Sequence, residues 1–184
     1  MENQARLFVL FGNVSSGKST LARKIAETYS IPHISSDALR EELTGNIGGG
    51  SGMVWPEMRK RMTAYLEAGT SVVIDSSGMS PKYREIVRDF RSKYPTLVIE
   101  LYCDFEMWLA RERKRNDRWN LENGEKVPFK MPVRAYEDSV KVDMNSDLRI
   151  DTTHMHPTMV STHALGLIAL NDPVWLKRVK KMGF

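Results

Sequence analysis

A glycine- and serine-rich stretch near the start of the chain has the residue types and spacing of a phosphate-binding loop. Residues 12–19 (GNVSSGKS) follow the pattern of a glycine, four further residues, then glycine, lysine and serine or threonine. The two glycines let the backbone turn so that successive N–H groups point at phosphate oxygens. The amine of Lys18 would reach the β- and γ-phosphates of a nucleotide, and the hydroxyl of Ser19 would ligate Mg²⁺.

The sequence around this loop fits the same interpretation. The loop follows an apolar run at 6–11 (RLFVLF) and opens an amphipathic pattern at 18–29, so it would join a strand to the N-terminus of a helix. The positive end of the helix dipole adds to phosphate binding. We therefore predict ATP and Mg²⁺ as cofactors. The predicted nucleotide-binding residues of the loop are Gly12, Asn13, Val14, Ser15, Ser16, Gly17, Lys18, Ser19 and Thr20.

An acidic and a basic residue follow the second apolar run, IPHISS at 31–36. Asp37 and Arg40 are three residues apart, so on the first turn of a helix their side chains share a face. The carboxylate could accept the proton of an attacking hydroxyl group, and the guanidinium could hold a substrate phosphate through two hydrogen bonds. The structural alternative is that Ser36 or Asp37 caps the helix and that Arg40 is solvated.

Several arginines occur in the charged run RERKRNDR at 111–118. Arg111, Arg115 and Arg118 are spaced by four and three residues, so they can share one helix face. We predict that at least one of them neutralises the γ-phosphate during transfer, although a charged run is more often a solvated helix face.

These arginines would belong to a helical lid at about 111–134 that closes over the site and excludes water. The polar stretch 119–133 would be its mobile loop. Arg134, after Pro132, is a further candidate for contact with the phosphates. The remaining cations of the run, Arg113 and Lys114, are expected to be solvated.

Apolar runs alternate with helical patterns along the chain. Five runs rich in β-branched and aromatic residues predict strands at 6–11, 31–36, 71–75, 96–103 and 148–151. Strands that are apolar on both faces and alternate with helices indicate a parallel sheet covered on both sides. We predict a three-layer α/β fold with a central, mostly parallel five-stranded sheet, in a single domain over residues 1–184.

Composition limits the class of protein. With 184 residues, 41% of them hydrophobic, the chain can bury one sizeable core. No apolar stretch approaches the roughly 20 residues that span a bilayer, and the start lacks the pattern of a secretory signal. The single cysteine, Cys103, is expected in the core, and we expect a cytoplasmic protein without a membrane partner. The net charge of +4 is compatible with anionic substrates.

The loop at 12–19, together with Asp37, Arg40 and the Asp75 that ends SVVID, resembles the P-loop kinase group that contains polynucleotide 5′-hydroxyl kinases and zeta-toxin-like kinases. The resemblance implies the P-loop kinase fold with a helical lid. The resemblance to polynucleotide kinases implies that, in this chain, Asp37 is the general base and Arg40 contacts the phosphate next to the accepting hydroxyl. Those kinases commonly continue the third strand with Asp-Thr-Asn, whereas this chain has Asp75-Ser76-Ser77.

The same resemblance assigns the remaining nucleotide-binding and metal residues. Asp75 is expected near Ser19, where both would act on Mg²⁺. In related kinases the loop after the last strand lies against the adenine, so Thr152 and Thr153 resemble nucleotide-binding residues.

We therefore predict an ATP-dependent kinase that moves the γ-phosphoryl group to a hydroxyl acceptor. The expected acceptor is the 5′-hydroxyl of a nucleic acid or nucleotide, which would make a nucleic-acid 5′ end a partner. The alternatives are a small metabolite or nucleotide sugar as acceptor, or an ATP-hydrolysing switch module, which would need a second acidic residue after the third strand. The oligomeric state stays open.

Two remaining features are not expected to form functional sites. His154, His156 and His163 are close in sequence, but no cysteine or carboxylate completes the compact ligand set of a zinc site. The basic end WLKRVKKMGF at 175–184 is expected to be solvated rather than bound to a membrane or nucleic acid.

Overall fold

The structure, a computed structural model, describes residues 5–45, 52–124, 128–129 and 133–171, so the basic end at 175–184 lies outside the described residues. The elements occur in the order β1 (Leu7–Gly12), α1 (Lys18–Tyr29), β2 (His33–Ser35), α2 (Ser36–Thr44), α3 (Val54–Glu67), β3 (Val72–Asp75), α4 (Pro81–Arg91), β4 (Thr96–Tyr102), α5 (Phe105–Asn123), α6 (Val133–Val140), β5 (Leu148–Asp151) and α7 (Pro157–Asn171). All five predicted strands are present. Within the described ranges, no helix is long and apolar enough to cross a membrane.

The strands form one parallel sheet in the order β2-β3-β1-β4-β5. Because the strands are parallel, their carboxyl ends lie at one edge of the sheet. After β1 the chain builds the β3 and β2 side first and then crosses to the β4 and β5 side. Ligands of open parallel sheets bind outside the carboxyl edge where the strand order reverses. Here that point is the end of β1, where the phosphate loop begins.

The core has two halves, one on each face of the sheet. Leu7, Val9 and Phe11 of β1 pack on the side of α2, α3 and α4. Phe8 and Leu10, which alternate with them, pack on the side of α1 and α7. All six residues of β1 are buried, as expected for a central strand that is covered on both faces. The predicted three-layer α/β fold with a five-stranded parallel sheet is therefore confirmed.

The predicted lid differs from the structure at its first part. The helix α5 continues through residues 119–123, which we expected to begin a mobile loop. The segment is polar, but it contains no proline or glycine until Gly124, which ends the helix with a φ of 64°. A cluster formed by Phe105, Trp108 and Tyr136 then packs α6 against the base of α5.

Candidate active site

A cavity of about 790 Å³ opens at the carboxyl edge of the sheet. Its walls come from the phosphate loop, the start of α2, the serines after β3, the helix α5 and the loop between β5 and α7. The structure brings most of the predicted site residues to this one cavity. Those that line it are Val14, Ser15, Ser16, Gly17, Lys18, Ser19, Thr20, Asp37, Arg40, Asp75, Arg111, Arg115, Arg118 and Thr152.

The phosphate loop takes a conformation that its glycines permit. Gly12 and Gly17 have φ values of 133° and 96°, which residues with side chains rarely adopt. Gly12 also lies against β4, where the two backbones approach closely. Ser15 has a positive φ of 57° without being a glycine. Its hydroxyl donates a hydrogen bond to the buried carboxylate of Glu112 on α5, which helps to hold this conformation.

Gly12→Ala is expected to destabilise the protein by on the order of 4 kcal/mol or more. A Cβ atom at this position would lie 1.8 Å from the backbone oxygen of Leu101, and a backbone atom in a central strand cannot rotate away. Urea unfolding measures the loss. Gly166→Ala in α7 is the matched control, because a Cβ atom there has nothing within 4 Å and alanine favours a helix. Similar stabilities for the two variants would contradict the close approach of β1 and β4.

Lys18 is buried beneath the phosphate loop. Its amine donates a hydrogen bond to the backbone oxygen of Asn13 at 2.7 Å, within the loop itself. Burial lowers the pKa of Lys18 to about 8, although the charges of Asp75 and Asp37 act in the opposite direction. A bound phosphate would favour the charged form of the amine. Binding of an anion in the loop would therefore raise the pKa of the Lys18 amine.

Asp75 ends β3 and contacts Ser19 and His33. The Ser19 hydroxyl donates to Asp75 Oδ2 at 2.6 Å, and His33 Nε2 lies 2.5 Å from Asp75 Oδ1. Burial alone would raise the pKa of Asp75, but the hydrogen bonds from His33 and Ser19 bring it below its usual value. An ionised carboxylate beside a hydroxyl group is a set of oxygen ligands that fits Mg²⁺.

Asp37 and Arg40 lie on the first turn of α2, as their spacing predicts. Arg40 Nη1 donates to Asp37 Oδ1 at 2.8 Å, and both side chains line the cavity. The Asp37 side chain is 68% exposed and that of Arg40 is 16% exposed. Ser35 occupies the N-cap position and no side-chain hydrogen bond caps the helix there, so the capping alternative for Ser36 and Asp37 does not hold.

Arg111 joins the two loops that form the nucleotide half of the cavity. Its guanidinium donates to the backbone oxygen of Thr152 at 2.5 Å, to the Thr152 hydroxyl at 2.9 Å and to the backbone oxygen of Ser15 at 3.3 Å. The Thr152 hydroxyl also donates to the backbone oxygen of Ser16 at 3.1 Å. These bonds fix the loop after β5 against the phosphate loop.

The next turn of α5 brings more cations to the cavity. Arg115 and Arg118 line it, and so does Lys114, which is exposed but which we expected to be solvated only. Arg115 Nη1 lies 3.4 Å from a Glu112 oxygen, and the Arg115 side chain is 64% exposed. Solvent weakens such a pair, so Arg115 can leave it at little cost.

Sequence reasoning missed two carboxylate contacts at this site, those of Glu112 with Ser15 and of His33 with Asp75. A glutamate in a run of charges gives no sign of burial. His33 lies in the predicted second strand. Nothing in the sequence reveals that this strand pairs with β3, so the contact with Asp75 could not be predicted.

Four residues predicted for the site or its lid lie outside the main cavity. The Thr153 hydroxyl donates to Asp151 Oδ1 at 2.6 Å and accepts from the Asp104 backbone N–H at 3.0 Å. The side chains of Thr153 and Thr152 therefore point to different sides of the loop. It lines a separate cavity of about 320 Å³, as do Gly12 and Asn13. Arg134 is 93% exposed and approaches Asp138 at 4.0 Å rather than lining the main cavity.

His154, His156 and His163, which are close in sequence, lie within the part of the chain that the structure describes. Within those ranges, no three side chains of histidine, cysteine, aspartate or glutamate are grouped so that they could hold a metal ion. His156 Nδ1 instead accepts a hydrogen bond from the Thr158 backbone N–H at 3.4 Å, at the start of α7.

A family model described as AAA domain matches residues 7–135, well over half of the chain. The match runs from the start of β1 into α6 and includes the phosphate loop. The chain belongs to this AAA domain family. All the residues that we predict to be catalytic fall within the family match, namely Lys18, Asp37, Arg40, Arg111, Arg115 and Arg118.

Three similar proteins add detail to the family assignment. The shikimate kinase of Buchnera aphidicola subsp. Acyrthosiphon pisum (strain APS) is 26% identical over 172 residues, which cover 90% of this chain and 97% of that protein. The structure of a gluconokinase from Sinorhizobium meliloti 1021 has a TM-score of 0.62 at 18% identity and covers 96% of this chain and 99% of that chain. A chain of the Pnkp1/Rnl/Hen1 RNA repair complex has a TM-score of 0.61 at 21% identity, over 76% of this chain and 44% of that chain.

The first two of these proteins are kinases, in agreement with the enzyme class predicted from the sequence. At such identities the two solved structures show the fold alone. The narrower resemblance to polynucleotide 5′-hydroxyl kinases and zeta-toxin-like kinases is not confirmed, since the two kinases that align with nearly all of this chain are a shikimate kinase and a gluconokinase.

Proposed function

We propose that the chain is an ATP-dependent kinase that phosphorylates a hydroxyl group of a small anionic metabolite. The observation that carries this proposal is the placement of the Asp37–Arg40 pair on the same cavity as the phosphate loop. A phosphate loop alone would serve an ATPase or a kinase. A carboxylate and a guanidinium that line the same cavity provide a proton acceptor and an anion-binding group for a second substrate.

Different residues of the cavity carry out different parts of the phosphoryl transfer. The loop N–H groups and Lys18 bind the β- and γ-phosphates. Ser19 and Asp75 would hold Mg²⁺, which would neutralise phosphate charge. Asp37 accepts the proton of the acceptor hydroxyl while the oxygen of that hydroxyl forms a bond to the γ-phosphorus. The bond from that phosphorus to the β,γ-bridging oxygen breaks, and ADP leaves. Arg115 or Arg118 stabilises the charge on the transferring group.

The acceptor half of the cavity suits a small hydroxylated molecule. Besides Asp37 and Arg40 it is lined by hydroxyl groups and by two large apolar side chains, namely Ser36, Ser76, Ser77, Ser80, Trp55 and Met79. About 790 Å³ must hold the acceptor together with the nucleotide phosphates, and cavities of roughly 300–1,000 Å³ commonly hold one small ligand. The kinases named among the similar proteins, for shikimate and gluconate, support this acceptor class.

A 5′-hydroxyl of a nucleotide or nucleic acid is the second candidate acceptor. The Arg40 guanidinium would bind the phosphate 3′ to such a hydroxyl as readily as a carboxylate. However, the basic residues at the start of α4, Lys82 and Arg84, do not extend this wall. Arg84 donates to the backbone oxygens of Gly78 and Met79, and neither Arg84 nor Lys82 lines the cavity.

Arg40→Ala is expected to lower kcat/KM for an anionic acceptor by ten- to a hundredfold. A charge-assisted hydrogen bond contributes about 1.5–3 kcal/mol, which corresponds to that ratio. Initial rates with Mg-ATP would be measured on hydroxy acids, on the matching uncharged alcohols, and on a nucleoside with and without a 3′-phosphate. Arg40→Ala should lower the rates of the charged acceptors much more than those of the uncharged ones, which feel only the lost bond to Asp37. Arg40→Lys should restore only part of the rate because lysine lacks the planar fork.

Arg59→Ala is the matched control, because Arg59 pairs with Asp89 at 2.7 Å in the same kind of ion pair but does not line the cavity. Equal rates on charged and uncharged alcohols would contradict the anionic acceptor. A nucleoside 3′-phosphate phosphorylated faster than every hydroxy acid would select the second candidate. Hydrolysis of ATP without transfer to any acceptor would contradict the kinase.

A further inference from the structure

We infer that His33 is a positioning residue for Mg²⁺: it holds Asp75 Oδ1 so that Oδ2 stays turned toward the Ser19 hydroxyl. The inference rests on the proposed function, in which Ser19 and Asp75 hold the metal. No sequence pattern of a phosphate loop includes this histidine, which lies on β2, a strand away from Asp75.

Strand pairing explains why the two side chains meet. β2 pairs with β3 in parallel, with His33 opposite Val73. Val73 and Asp75 are two residues apart on one strand, so their side chains and that of His33 point to the same face of the sheet. His33 is thus the diagonal neighbour of Asp75, within reach of a long side chain. Its Nε2 lies 2.5 Å from Asp75 Oδ1, and both side chains are largely buried, at 18% and 4% exposure.

The two oxygens of the Asp75 carboxylate therefore have different partners. Oδ2 accepts from Ser19, and Oδ1 is bonded to His33. Because two directed bonds fix both oxygens, the carboxylate cannot rotate without breaking one of them. Its plane is set before a metal binds, which lowers the reorganisation needed to coordinate the ion or its water.

Lys18 is the group that would compete for Asp75 in the absence of His33. Its charge attracts the carboxylate, and its amine is buried nearby. An Asp75 carboxylate released from His33 could turn toward that amine. Such a turn would withdraw one ligand from Mg²⁺, so the histidine keeps the carboxylate turned toward Ser19 and the metal.

The test measures metal affinity rather than turnover. Mn²⁺ would be titrated into the protein–ADP complex, with free Mn²⁺ measured by electron paramagnetic resonance, and ADP affinity without metal measured by calorimetry. His33→Phe, which keeps a ring and removes the bond, should weaken Mn²⁺ binding by about 10–100-fold, as loss of a residue that orients a metal ligand does. Metal-free ADP affinity should change less than about twofold. His33→Gln, which keeps a donor, should restore much of the metal affinity.

His163→Phe, on an exposed position of α7, is the matched control and should bind Mn²⁺ like the unchanged protein. His33→Asn, too short to reach Asp75, replaces His33→Phe if that variant does not fold, and should show the same loss. Asp75→Asn separates the two proposals. If it leaves Mn²⁺ binding intact, the metal site of the proposed function is wrong. If it weakens binding while both His33→Phe and His33→Asn do not, the inference about His33 is overturned.

Discussion

Lys18→Ala is expected to abolish phosphoryl transfer while the protein stays folded. The amine lies beneath the phosphate loop, 2.7 Å from the backbone oxygen of Asn13, where it can reach the terminal phosphates of a nucleotide. Alanine would remove this cation and leave the loop backbone in place. Transfer of labelled phosphate from ATP to the best acceptor of the panel measures the activity, and urea unfolding measures the stability, which should change by about 1 kcal/mol, the contribution of one hydrogen bond.

Lys24→Ala provides the matched control for Lys18→Ala. Lys24 lies on the same helix, α1, in a half-exposed pair with Glu27 at 3.6 Å, and should be dispensable. Activity above about a tenth of the original in Lys18→Ala would show that this loop is not the catalytic phosphate site. Unfolding of the variant would instead assign Lys18 a structural role.

Asp37→Asn is expected to lower turnover by roughly 10²–10⁴ through loss of the general base. Asparagine keeps the size of the side chain and an oxygen for the bond from Arg40, so the acceptor-binding group stays in place. The affinity for ADP should be retained, because Asp37 lies on α2 rather than on the phosphate loop. Single-turnover rates measure the chemical step, and calorimetry measures the nucleotide affinity.

Asp75→Asn separates the two carboxylates of the site. Asp75 is buried against Ser19 and His33, so its loss should raise the Mg²⁺ concentration needed for half-maximal rate rather than remove the proton acceptor. If Asp37→Asn kept full turnover while Asp75→Asn lost it at saturating Mg²⁺, the two roles would be reversed.

Features carried by neighbouring residues could be predicted from the sequence. The phosphate loop needs its glycines, lysine and serine within one short stretch, and the Asp37–Arg40 pair needs only one helical turn. The strands were predicted because short apolar runs alternate with helical patterns along the chain. The end of α5 was mispredicted, because polar composition resembles a loop although helix-breaking residues are absent until Gly124.

Contacts between distant segments could not be predicted in this way. The bonds from Ser15 to Glu112, from His33 to Asp75 and from Arg111 to Thr152 join residues that are 97, 42 and 41 positions apart. They depend on how the strands are ordered and how α5 crosses the loop. The acceptor class has the same limit, because Trp55 and the serines after β3 meet Arg40 only in the folded chain.

The two halves of the cavity are fastened in different ways. Hydrogen bonds from Arg111 and Thr152 to the backbone oxygens of Thr152 and Ser16 join three segments at the nucleotide half, namely α5, the loop after β5 and the phosphate loop. The proposed acceptor half is formed by α2, α3 and the segment after β3, and α2 and α3 pack on each other. The side chains of these helices that line the cavity take no part in the hydrogen bonds of Arg111 and Thr152. Substitutions at the cavity-lining positions Asp37, Arg40 and Trp55 are therefore the practical route to altered acceptor choice.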